Sequence, residues 1–364
     1  MQLVDPATGN RYRDLGASWE EVTGVLGVDW TPDTNTLVYA KYNRGYKPGG
    51  LGCAYEACVM IATPYTEKEL LDAYELGFKR EWRDWNLTTN VVAYLYDYQG
   101  YQVPNVVVPP DTGSAVRTAP YTAYVNLPET TTTGIELETY WYPTENLRFI
   151  FNYGYTNPEI GDTPPLVHAL DLYALDPAAQ PLGPAAAVPA GSPASVCPIL
   201  PYSPGAQQPC RGVQGQNLNG NILPYTPKNK AALVGTYTWF FEDQSTLDAS
   251  ISYSWQDVAF TSVFNRSYTK VPSWDQTDAR ISWTNGDGNI TLIGWVKNLF
   301  DEITYDAVTA ALREGGSSQI APTRCGSTAG TAEGTGVRAG FSCCTTTEIL
   351  RSPRTLGAEL HFRF

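Results

Sequence analysis

The sequence has little of what enzymes use most. Histidine occurs only twice, as His168 and His361, and methionine only twice. One histidine falls in a long connecting segment and the other near the C-terminus. No Ser-His-Asp order, P-loop or zinc-hydrolase pattern accompanies them, so the chain is read as no enzyme. No run of 18 apolar residues exists, which excludes a transmembrane helix. The first ten residues carry neither a charged region nor an apolar core, so no signal peptide is expected there. Charged residues make up 17 % of the chain, below the roughly 25 % of an average soluble protein. The formal net charge of −13 argues against nucleic acid and anionic headgroups as direct partners. No CxxC pair occurs and no histidine neighbours a cysteine, so metal binding is disfavoured and no cofactor is expected.

Aromatic residues, by contrast, are abundant, with 24 tyrosines and 10 tryptophans, and they recur at alternating positions. The last ten residues show the pattern best. Leu356, Ala358, Leu360, Phe362 and Phe364 fall on one face of an extended strand, and Gly357, Glu359, His361 and Arg363 on the other. Ten further segments carry the same period: Trp19–Trp30, Asn35–Tyr46, Ala73–Arg80, Asn86–Tyr98, Thr132–Trp141, Leu147–Thr156, Ala231–Phe241, Thr246–Gln256, Gln276–Thr284 and Asn289–Leu299. Asn86–Tyr98 fits either register after Ala93, and Asn289–Leu299 is apolar on both faces. If Phe241 and Leu247 share a face, the turn between them holds an odd number of unpaired residues, as a three-residue bulged hairpin does.

The connections alternate in length. Short turns lie at 31–34, 81–84, 142–146, 242–245 and 285–288. Long loops lie at 47–72, 99–131, 157–229, 257–275 and 300–354. Trp30, Trp82, Trp85, Trp141, Trp239 and Trp283 sit near the short turns, and Trp19, Trp255 and Trp274 near the long loops. These features predict an all-β fold, an antiparallel transmembrane β-barrel with short periplasmic turns and long extracellular loops. Residues 1–18 form a lead-in and residues 19–364 the barrel part. A soluble β-sandwich is the rival architecture.

Four stretches resemble the TonB-dependent outer-membrane receptors. Val38-Tyr39-Ala40-Lys41-Tyr42-Asn43-Arg44-Gly45-Tyr46-Lys47-Pro48-Gly49-Gly50 is similar to that family's "YA-x-Y-x-RGYK-x-GG" stretch. Ala73-Tyr74-Glu75-Leu76-Gly77-Phe78-Lys79 resembles its "YElGlK" strand, and Val296 to Glu302 its "vkNLfDe" segment. Pro353 to Phe364 resembles its closing strand. The resemblance implies a bacterial outer-membrane location and a 22-strand barrel, of which the eleven segments match the second half. It implies uptake of a ferric siderophore or another scarce bulky nutrient. Contact with TonB would run through a plug and a box that these residues lack. Phe362 and Phe364 resemble the terminal signal read by the barrel assembly machinery. The other direct partners expected are outer-membrane lipid and a transported small molecule.

Eleven strands place the first and last strands in the same direction, so a closed barrel would need a parallel seam. A fragment or one piece of a split barrel is therefore expected, with open edges costing several kcal/mol per unsatisfied group in hydrocarbon. A plugless passive channel and an inert truncated fragment are the alternative functions. All seven cysteines fall in long segments. Spacing points to Cys53–Cys58 and Cys197–Cys210 as loop disulfides, with Cys325 joining Cys343 or Cys344. The resemblance makes loop aromatics Tyr173, Tyr202, Tyr225 and Phe264 candidate ligand contacts, although packing is the commoner use of such residues. Glu136, Glu138, Arg148, Asp248, Asp278, Arg280, Glu359 and Arg363 share the polar strand faces and are expected to form cross-strand ion pairs.

Overall fold

The computed structural model describes residues 16–51, 65–107, 121–164, 217–266, 269–314 and 341–364, with short pieces at 3–4, 11–12, 166, 186–187 and 214–215. One antiparallel sheet of eleven strands organises them. Its members are β1 (Gly24–Asp33), β2 (Thr36–Lys47), β3 (Glu69–Trp82), β4 (Leu87–Val107), β5 (Tyr121–Trp141) and β6 (Leu147–Ile160). They continue as β7 (Asn229–Phe240), β8 (Thr246–Gln256), β9 (Trp274–Thr284), β10 (Ile290–Lys297) and β11 (Thr355–Phe362). Each pairs with the strand before it, an up-and-down meander from edge β1 to edge β11. Every segment with a period of two has become a sheet strand. Among the described residues no helix is long and apolar enough to cross a membrane.

Burial is inside out relative to a soluble domain. Leu26, Val28, Leu76, Ile135, Leu233, Ile251, Ile281, Leu292 and Leu360 are large, apolar and exposed. The register puts all of them on one face of the sheet. Ala73, Thr130, Thr132, Thr236, Ser282 and Ile293 are buried, and they lie on the opposite face. A bare apolar face backed by a lined polar face is the pattern of a wall between lipid and a polar interior. The two ambiguous strands are resolved by their neighbours. In β4, Leu95 pairs with Tyr74 and Thr133, which puts Tyr94, Tyr96 and Tyr98 on the polar face. In β10, Leu292 pairs with Trp283 and Leu360, leaving Ile293 and Trp295 on the polar face.

Two glycines on the polar face make room for flat-lying rings. A Cβ on Gly77 would fall 2.0 Å from the Tyr39 ring. A Cβ on Gly134 would fall 2.3 Å from the Tyr94 ring and 2.4 Å from the backbone oxygen of Tyr155. The Lys79 ammonium sits 5.9 Å above the Tyr39 ring. The Tyr94 hydroxyl is 2.8 Å from that of Thr156. Lys79 thus caps the Tyr39 ring, and Thr156 anchors the tip of Tyr94 to the wall.

The turns follow their residues. Phe241 donates to the Ser245 carbonyl, and Gln244, at φ +63°, donates back to Phe241. Three residues remain unpaired, and Trp239 and Leu247 face each other. This is the expected bulged hairpin. Asp243 accepts from the Ser245 hydroxyl and amide, and the hydroxyl bond holds its carboxyl below the usual range. At the short-turn end, Trp82 and Trp85 stack at 5.8 Å and Trp141 stacks on Phe149 at 5.6 Å. With Trp30, Trp239 and Trp283 they form an aromatic belt on the apolar face. The long-loop end differs from expectation. Only Trp255 lies on the apolar face there. Trp274 turns to the polar face, and Trp19 packs over Gly49 and beside Tyr65.

The β4–β5 pair runs well past the span expected for it. Both strands have 21 residues, roughly 70 Å at about 3.3 Å per residue. Most of the expected loop at 99–131 is therefore paired strand, rising beyond the other strands. The loop expected at 300–354 contains a second hairpin, Tyr305–Glu314 with Phe341–Leu350.

Candidate functional site

The polar face opens at the long-loop end into a mouth built from several connections. Val103 and Leu127 on the rising β4–β5 hairpin meet Ile160 at the end of β6. Leu218, Leu223, Val263 and Phe264 from two loops close over them. Side-chain amides stitch the loops together. Asn265 accepts from the Ile222 amide at 2.8 Å and donates to its carbonyl at 3.0 Å, while Asn221 donates to the Val263 carbonyl. Asn265 adopts φ +47°, a left-handed conformation that asparagine tolerates better than most residues.

Beside this cluster is a hollow of about 160 Å³ lined by Tyr225, Gln256, Trp274, Tyr305, Asp306 and Arg351, among others. The Arg351 guanidinium lies 3.7 Å from the centre of the Trp274 ring and 3.3 Å from an Asp306 oxygen. The Arg351 amide donates to the Thr304 carbonyl, which fixes the root of the side chain. Ala259, Val271 and Val308 pack beneath Tyr305 and seat the second hairpin on the β8–β9 loop. A cation stacked on an aromatic face and flanked by phenols can recognise a planar or anionic group.

The segment just before β1, residues 16–23, is tied to the same rim. Lys68 pairs with Glu21 at 2.7 Å and donates to the Glu20 carbonyl, and Arg44 reaches both Glu21 and Asp72. The hydrogen bond from Lys68 holds the Glu21 carboxyl below its usual range. This tether is complete above the free carboxylate value of about 4.3 and is lost as pH falls through the lowered folded value. Acidification from pH 6 to pH 3 is therefore expected to speed hydrogen exchange over residues 16–23, after correction for intrinsic rates. In Glu21→Gln the exchange should already be fast at pH 6.

The residues singled out from sequence fare unequally. Tyr225 is 58 % exposed, adopts φ +57° and borders the hollow. Phe264 is only 4 % exposed and is sealed into the loop cluster, with the Arg266 guanidinium 5.9 Å from its ring. Its ring packs among Val103, Leu127, Ile160, Leu218, Leu223 and Val263 rather than lining the hollow. Tyr173 and Tyr202 lie outside the described residues, as do Cys53, Cys58, Cys197, Cys210 and Cys325. Cys343 and Cys344 fall within the Phe341–Leu350 strand. Phe362 and Phe364 are exposed on the apolar face with their rings 5.0 Å apart. The expected ion pairs among the eight polar-face charges do not form among the described residues. The register explains it, since Glu136 faces Val92 and Gly154, Arg148 faces Thr236, and Asp248 faces Thr238 and Ser282. Arg351 and Trp274, the centre of the mouth hollow, carried no local sequence signal. Among the described residues no group of three or more His, Cys, Asp or Glu is placed to hold a metal ion.

An up-and-down antiparallel wall with short turns at one end, long loops at the other and an apolar outer face defines a membrane β-barrel of the outer-membrane class. Residues 4–299 match the family described as TonB dependent receptor-like, beta-barrel. The chain belongs to this family, whose members are receptors of the bacterial outer membrane and not enzymes. Similar solved structures include the ferric yersiniabactin uptake receptor FyuA of Yersinia pestis, at 15 % identity and a TM-score of 0.59, covering 98 % of this chain and 40 % of that one. The siderophore receptor PiuA of Acinetobacter baumannii gives 18 % identity and a TM-score of 0.54, over 93 % of this chain and 35 % of that one. The unliganded ferric citrate transporter FecA gives 16 % and 0.51, over all of this chain and 40 % of that one. The chain thus spans about two fifths of the length of these receptors. None of the curated proteins matches it.

Proposed function

We propose that this chain forms the wall and mouth of an outer-membrane receptor that takes up a ferric siderophore or a comparably scarce, bulky nutrient with energy delivered through TonB. The observation that carries the reading is the built mouth. Asn221 and Asn265 stitch the loops of the mouth. The Arg351–Trp274 pair, with the Arg351 amide rooted on the Thr304 carbonyl, lies at the long-loop end of the polar face. The similarity to a ferric yersiniabactin uptake receptor, a siderophore receptor and a ferric citrate transporter supports the same reading. Tyr225 takes the part of a ligand contact, with Tyr173 and Tyr202 as further candidates on the long loops. Disulfides Cys53–Cys58 and Cys197–Cys210, and Cys325 with Cys343 or Cys344, would staple those loops. TonB is engaged through the plug and box of the receptor and not through the wall.

Uptake of iron-loaded siderophores into iron-starved cells tests the reading. Loss of the gene is expected to abolish accumulation of at least one ferric siderophore from a panel. Arg351→Ala should weaken binding of that compound at least tenfold at unchanged surface level. Unchanged uptake of every panel member in the deletion strain overturns the assignment.

Assembly is a separate expectation. The exposed Phe362–Phe364 pair is read by the barrel assembly machinery, so deletion of Phe364 should lower the amount of folded protein at the surface several-fold. Equal surface levels count against that role.

A further inference from the structure

The inner wall carries a second site, at the opposite end from the mouth. One transverse row of the polar face reads Arg148, Thr236, Ser250, Arg280 across β6, β7, β8 and β9. Two arginines therefore flank two short hydroxyl residues. Their Cα atoms are three strand spacings apart, about 14 Å, and the short residues between them leave a gap that both long side chains overhang. The gap is a hollow of about 250 Å³ lined by both arginines together with Thr236, Thr238, Asp248, Ser250 and Ser282.

The chemistry of this hollow is unspent. Neither guanidinium has an ion-pair partner within 4.0 Å among the described residues, and Thr236, Ser250 and Ser282 have no side-chain hydrogen bond there. The acids nearby are Asp248, Glu145 and, beyond the hollow, Glu359 and Asp278. Asp278 is two residues from Arg280 on β9 and accepts from the Gln276 side chain and the Asn298 amide. Asp248 accepts from the Thr238 hydroxyl at 2.6 Å. Glu145 is exposed on the β5–β6 turn at the rim. Glu359 lies within electrostatic reach of Arg280 but is bonded to Trp295 and His361. What remains is a set of donors facing one space: two forked guanidinium groups that match oxyanion geometry, over a floor of hydroxyls.

We propose that this hollow is a binding site for a small oxyanion, a carboxylate or phosphate group, on the inner wall near the short-turn end. Asp248 and Glu145 balance the two arginines before a ligand arrives, which favours a singly charged group over a multiply charged one. The site does not depend on what the mouth recognises. It would hold a free oxyanion or the acidic end of a larger solute inside the wall.

Arginine-specific labelling with phenylglyoxal tests it on the whole chain in detergent, with modified positions read by mass spectrometry. Acetate and inorganic phosphate serve as probes, and Arg83, exposed near a short turn, is the control. Either probe is expected to slow labelling of Arg148 and Arg280 at least fivefold while leaving Arg83 unaffected. Protection by acetate alone assigns a carboxylate, and protection by phosphate alone assigns a phosphate. In Arg148→Gln, protection of Arg280 should vanish, because the two act on one ligand. In Arg148→Lys it should partly return, which separates a lost ligand from a disturbed fold. No protection beyond that of Arg83, or full protection of Arg280 in Arg148→Gln, overturns the proposal.

Discussion

Arginine in place of Ile251 is expected to destabilise the wall by about 2–4 kcal/mol in a bilayer, the cost of a cation near the middle of a lipid-facing strand. Ile251 is at the centre of β8, is 58 % exposed, and pairs with Gly235 and Ala279 on the apolar face. Its small neighbours offer no polar group for the guanidinium, and both ends of the strand are several residues away. Arginine at Ser252, one residue further along, enters the polar face beside Val234 and Asp278. There it should change stability by no more than about 0.5 kcal/mol. Urea unfolding in phospholipid vesicles measures both. Equal costs at the two adjacent positions would mean that the faces have been assigned wrongly.

The second large effect is expected at Gly134. An alanine there brings a Cβ to 2.3 Å from the Tyr94 ring and 2.4 Å from a carbonyl oxygen of β6, and overpacking of this kind costs about 3 kcal/mol at its upper end. The ring can move, but the carbonyl belongs to the strand. Tyr94→Ala in the same chain should therefore leave most of the penalty in place. Gly77 differs, because the closest atoms to its Cβ all belong to the Tyr39 side chain. Gly77→Ala should be costly alone and should cost little more than Tyr39→Ala once the ring is gone. A double-mutant cycle at each site reads the difference. Full rescue at Gly134 would show that the strand there has slack which the close approach denies it.

Strand number, order and polarity were legible because a half-lipid, half-polar environment imposes a period of two on every strand. Where local pattern failed, cross-strand neighbours decided. Asn86–Tyr98 was ambiguous alone, yet pairing of Leu95 with Tyr74 and Thr133 fixes its tyrosines on the polar face. The extension of β4 and β5 was hidden by Gly100, Pro104 and Pro128. These weaken a strand signal, but a hairpin reaching above the membrane tolerates them. The mouth was hidden for another reason. Arg351, Asp306, Trp274 and Tyr225 come from separate connections, and no spacing within one segment reports on their meeting. Ion pairs among the eight polar-face charges were expected from opposite signs on neighbouring strands, but the register sets those residues opposite neutral ones. Lys41–Glu75 and Arg44–Asp72, directly opposite on β2 and β3, do pair.

The flat-lying tyrosines have a consequence for the contour of the inner wall. A ring laid against the wall adds about 3.5–4 Å, one van der Waals layer, whereas the same ring standing upright would project its whole length into the interior. Gly77 and Gly134 let Tyr39 and Tyr94 take the first posture. The missing side chains thus set how far Tyr39 and Tyr94 stand out from this part of the inner wall, and an alanine at either glycine would push its ring away from the strand.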